Sequence, residues 1–88
     1  MRKIEIKSQN DEEIIRLYAT KGRKHFVAVL EDADENYRTV ERNGVCVLQR
    51  GLSRIDAIMH AESIVAMLKR YDGINLVPIE ASAGILHE

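Results

Sequence analysis

The chain has 88 residues, of which 45% are hydrophobic and 31% charged, the mix of a folded globular domain. Thirteen basic and fourteen acidic side chains leave a formal net charge of −1, which excludes a uniformly cationic protein held to nucleic acid by bulk charge. One cysteine excludes an internal disulfide and a multi-cysteine zinc site, and no apolar run approaches the roughly 18 residues that span a bilayer.

Residues 1–80 are expected to form a single α+β domain and 81–88 a flexible tail. The first residues, Met1-Arg2-Lys3-Ile4-Glu5-Ile6-Lys7, alternate charge with isoleucine. They lack the apolar core of a signal peptide, so a cytoplasmic location is expected. Residues 2–8 read as a strand, with Ile4 and Ile6 on one side and Lys3, Glu5 and Lys7 on the other.

Residues 11–21 fit two patterns. On a helix, Ile14, Ile15, Leu17, Tyr18 and Ala19 share one arc, opposite Glu12, Glu13, Arg16 and Thr20. Asn10 or Asp11 can cap its start, and Lys21-Gly22 suits its end. On a strand, Ile15, Leu17 and Ala19 align, but Ile14 and Tyr18 turn to the other face. The shared arc and the caps favour a short helix.

Residues 24–31 form a strand that is apolar on both faces, Phe26, Ala28 and Leu30 against Val27 and Val29. Such a strand is expected to be central and covered on both sides. Residues 32–36 are a polar turn. Residues 37–42 and 45–50 make a hairpin about Asn43-Gly44, two residues that tolerate the positive φ of a tight turn. Ser53 with Asp56 opens a long helix, 53–71, which Gly73 ends. Residues 74–80 are a last strand, and Pro78 confines it to an edge. The expected fold is α+β, an antiparallel β-sheet of about four or five strands in the order β-α-β-β-β-α-β.

The long helix carries two apolar faces. The main stripe holds Ala57, Ile58, Ala61, Ile64, Val65, Leu68 and Tyr71 and is expected on the sheet. A second patch holds Ile55, Met59 and Ala66. It reads either as part of a broad buried face or as a contact for a second copy of the chain.

Catalytic and metal signatures are weak. Asp32-Ala33-Asp34-Glu35-Asn36 begins like a calcium loop, but Tyr37 stands where the loop needs glycine and Asn43 where it needs glutamate. Cys46 lies between two valines with no base named beside it, as a core cysteine would. His25, His60 and His87 have no metal-site spacing, and neither a nucleophile elbow nor a phosphate loop is present. No catalytic residue, cofactor or metal is therefore assigned, and an enzyme is not expected.

Basic residues cluster locally, Lys21, Arg23 and Lys24 in one run and Arg38, Arg42, Arg50 and Arg54 in and after the hairpin. Arginine forks suit phosphate or carboxylate. With 11–21 helical, the order over 11–71 is similar to that of the double-stranded-RNA-binding domain. Gly51, Ser53, Arg54, Ala57 and Ala61 resemble that family's motif at the start of its last helix. The family's lysines there would contact phosphate; here only Arg54 is basic. Its first hairpin loop, which enters the minor groove, corresponds here to four acids in residues 31–35. The full order is also similar to that of ribosome-hibernation factors, with no motif in common. Neither resemblance carries a function across.

Two readings follow. The first is a small non-catalytic interaction module that forms a homodimer through Ile55, Met59 and Ala66, with no membrane partner. The second is nucleic-acid binding through Lys21, Arg23, Lys24, Arg38, Arg42 and Arg54. A small enzyme would need a cleft joining His25 or His60 to Cys46 or to an acid.

Overall fold

The computed structural model describes residues 12–41 and 46–79. The strand expected at 2–8, the Asn43-Gly44 turn and the tail 81–88 lie outside the described residues. Five strands and one helix follow in order: β1 (Glu13–Ala19), β2 (Phe26–Glu31), β3 (Tyr37–Glu41), β4 (Cys46–Leu52), α1 (Arg54–Asp72) and β5 (Val77–Pro78). The strands form one antiparallel sheet in the spatial order β4-β3-β2-β1-β5. The α+β class and the antiparallel sheet expected from sequence are present. No helix among the described residues is long and apolar enough to cross a membrane.

The short helix expected at 11–21 is instead strand β1, and the reason is a β-bulge. Ile14 pairs with Leu30 and Arg16 with the next residue, Val29, so β1 carries one extra residue there. That insertion changes the face parity. Ile14, Leu17 and Ala19 pack on one face of the sheet, Ile15 and Tyr18 on the other. Spacings of three, Ile14 to Leu17 and Ile15 to Tyr18, imitate a helical period in what is a bulged strand. The segment pairs with β2 along its length and with β5 at Tyr18 and Ala19. Without that helix, the α-β-β-β-α order shared with the double-stranded-RNA-binding domain does not exist here.

Strand β2 is central and buried on both faces, as its composition requires. Val27 and Val29 join Tyr18, Tyr37, Leu76, Ala57 and Ala61 beneath α1. Phe26, Ala28 and Leu30 join Leu17, Ala19 and Val40 on the opposite face, where Ile14 and Ile79 pack against them. Between β2 and β3 the Asp32 carboxylate accepts from the backbone N–H of Asp34 and Asn36, at 2.8 and 3.0 Å. That acid thus closes its own turn.

Among the described residues, both edges of the sheet are blunted. Strand β4 holds extra residues at two places, opposite 37–39 and opposite 39–40, and Gly51 within it has φ +67. Strand β5 is two residues long and ends on Pro78, which pairs opposite Tyr18. Bulges, brevity and proline are the usual means of discouraging edge-to-edge pairing.

Candidate interaction surface

Helix α1 is set by its ends. The Ser53 side chain accepts from the Asp56 N–H at 3.2 Å, satisfying one of the free donors of the first turn. Gly73 adopts φ +66, and the Ile74 N–H returns to the Leu68 carbonyl at 3.0 Å. Asp56 in the first turn and Lys69 and Arg70 in the last complement the helix dipole.

The buried face is narrow. Only Ala57 and Ala61 are fully enclosed, and their small side chains let the helix sit close to β2 and β3. Ile64, Val65 and Leu68 pack around them, with Ile58 half-buried. Tyr71, expected on the sheet, is instead exposed, because the last turn runs to the rim of the packed face. Two polar contacts fix the rotation of the helix. His60 Nδ1 and the hydroxyl of fully buried Thr39 share a hydrogen bond of 3.1 Å. The Tyr18 hydroxyl donates to Glu62 at 3.5 Å. Burial raises the Tyr18 pKa above its ordinary value, and the Glu62 charge adds to the rise.

With that rotation fixed, the outward face of α1 mixes charged side chains, among them Asp56, Glu62, Lys69 and Arg70, with large apolar ones. Among the described residues, the exposed large hydrophobics are Ile55, Met59, Met67, Tyr71 and Val77. The first four stand at 69%, 60%, 57% and 70% exposure and share one row of the helix, each four residues or a multiple of four from the next. Ser63 completes the row at its centre, and exposed Ala66 lies beside it. All three proposed contacts, Ile55, Met59 and Ala66, are thus on the solvent side. The two apolar faces expected from sequence omit Met67 and put Tyr71 on the sheet, and so miss half of the row. A groove of about 190 Å³ flanks its C-terminal end, lined by Met67, Tyr71, Ile64, Leu68, Leu48 and Glu41 among others.

Among the described residues the basic candidates fall into two groups at opposite ends of the sheet. Lys21 and Lys24 are exposed and Arg23 half-buried in the turn joining β1 to β2. Arg38 and Arg54 lie near the opposite end of the sheet, Arg38 pairing with Leu30 and Arg54 following β4. Six residues of β2 separate the two ends, a span of roughly 20 Å at about 3.3 Å per residue. Arg42 lies outside the described residues. Arg38 is itself buried and grips Glu12 with two hydrogen bonds, Nε to Oε2 at 2.7 Å and Nη2 to Oε1 at 2.8 Å. Arg54 neighbours the Tyr37 hydroxyl, which donates to Glu31 at 2.7 Å; the hydrogen bond to that carboxylate raises the Tyr37 pKa.

Of the groups that could serve chemistry, His60 is committed to Thr39, and His25 immediately precedes β2, its backbone N–H donating to the Thr20 hydroxyl at 3.3 Å. The side chain of Cys46, and His87, lie outside the described residues. Among the described residues no three His, Cys, Asp or Glu side chains come together as a metal site. Compared with family models, curated proteins and solved structures, the chain matches none of them.

Proposed function

We propose that this protein is a small non-catalytic interaction module that associates with a second copy of itself through the outer face of α1. The observation that carries this reading is the row Ile55, Met59, Met67 and Tyr71, four large apolar side chains exposed along one helix. Scattered surface hydrophobics are ordinary, but four large ones aligned on a single helix support a contact surface. Blunted edges at β4 and β5 direct association to a face and away from strand pairing. A single helix face buries less than the roughly 1,200 Å² of a small specific interface, so the affinity is expected to be micromolar or weaker.

Size-exclusion chromatography with light scattering, run across a concentration series, tests the reading. The mass should rise with concentration toward twice the 10.0 kDa of the chain. Met59→Glu should hold it at one chain while leaving the circular dichroism unchanged. Absorbance at 260 nm in the same run reports bound nucleic acid, the competing reading of the basic residues. A mass that stays at one chain throughout the series defeats the proposal.

A further inference from the structure

We infer that the two copies pack α1 against α1 antiparallel, about a twofold axis at Ser63; this rests on the self-association proposed above. The exposed row is evenly spaced about Ser63, with methionine at both inner positions and a large apolar residue at both outer ones. Met59 and Met67 lie four residues either side of Ser63, and Ile55 and Tyr71 lie eight either side. An isologous interface uses one patch on both subunits, so it requires a patch that complements itself. Antiparallel packing about Ser63 sets Met59 against Met67 of the partner subunit on both sides of the axis. At the rims it brings Ile55 to the partner's Tyr71, beside the groove that Met67 and Tyr71 line.

Residue size supports the same centre. Rows of residues four apart form ridges that interlock when two helices pack. Ser63 at the crossing and Ala66 beside it are small enough to let two backbones approach. Axes about 8–10 Å apart put facing Cα atoms near the reach of a disulfide.

Charge selects the direction. Asp56 stands seven residues before Ser63 and Arg70 seven after it, and both are exposed. Antiparallel helices turn each Asp56 toward the partner's Arg70, twice in the dimer. Parallel helices would set Asp56 on Asp56 and Arg70 on Arg70, and would align the two helix dipoles.

Disulfide trapping distinguishes these arrangements. Ser63→Cys should link to itself under mild oxidation, with the linked peptide identified by mass spectrometry so that Cys46 is not mistaken for the introduced thiol. A mixture of Met59→Cys and Met67→Cys chains should link at least about tenfold faster than Met59→Cys with itself, because only the mixed pair falls within disulfide distance. Self-linking of Met59→Cys at an equal or greater rate would establish the parallel arrangement and overturn the inference. A dimer of the unmodified chain by light scattering, with no Ser63→Cys linkage, would overturn this geometry and leave self-association standing. An unmodified chain that is monomeric at every concentration would overturn both.

Discussion

The pair Glu12–Arg38 supplies the sharpest test of how this sheet is held. The guanidinium meets the carboxylate through two short hydrogen bonds, and the two side chains are only 9% (Arg38) and 5% (Glu12) exposed. Arg38→Met removes the cation and leaves a buried carboxylate without it. Breaking a buried pair from one side costs about 3–5 kcal/mol. A chain of 88 residues has roughly 4–13 kcal/mol of total stability at the usual density per residue. The single variant should therefore lose about a quarter of its stability or more. Urea unfolding followed by circular dichroism, at a slope of about 1 kcal/mol per molar, should show a midpoint lower by about 3 M or no folded baseline at all. The double variant Glu12→Leu/Arg38→Met removes both charges and should return to within about 1 kcal/mol of the parent, because apolar replacement of a buried pair is close to neutral. A single-variant loss under about 1 kcal/mol, as for an exposed pair, would refute the reasoning. So would a double variant no more stable than the single. The same measurement bears on nucleic-acid binding, since a guanidinium committed to Glu12 neutralises a phosphate only by giving up that pair.

Gly73→Ala should cost about 1–2 kcal/mol by thermal unfolding, because φ +66 strains any residue with a Cβ although that Cβ would meet nothing within 4 Å. Gly22→Ala, equally uncrowded and without the positive φ, should stay within about 0.5 kcal/mol of the parent. Tyr18 and Tyr37 both have pKa values raised above 10.0, so their contribution to stability is complete below pH 10 and is lost as pH climbs through the folded-state values. Tyrosinate absorbance should show late ionisation that unfolding abolishes, and Tyr37→Phe should remove part of the alkaline loss of stability. Met59→Glu should change the unfolding free energy of the monomer by less than about 0.5 kcal/mol, since Met59 is 60% exposed, while abolishing the concentration-dependent mass.

Much of this fold was legible because local chemistry and global packing agree. The alternation of Phe26 through Leu30 required two covered faces, and β2 has them. Ser53, Asp56 and Gly73 bounded the helix to within one residue of its observed ends. Segment 11–21 was illegible for a specific reason. A β-bulge restores spacings of three between residues on one face, and a spacing of three is what identifies a helix. Nothing within residues 13–19 distinguishes the two; the deciding information is non-local, in the pairing of Leu30 and Val29 with Ile14 and Arg16. Arg38 was misjudged in the same way. Sequence reported its charge and its place in the hairpin, but its buried partner Glu12 lies 26 residues away.

The outer face of α1 was half legible, and the missing half follows from how the helix is seated. Periodicity assigns each residue to an arc, but the width of the buried arc depends on how much sheet lies beneath it. Here two alanines and the Thr39–His60 hydrogen bond seat the helix on a narrow line. Met67 and Tyr71, on the margin of the arc, therefore fall outside it and extend the Ile55–Met59 patch along the whole helix. Enlarging the contact at Ala57 or Ala61 would lift α1 from the sheet. A helix held this close leaves Ile55, Met59, Met67 and Tyr71 standing clear of its own domain, and that row is the surface on which association is expected to act.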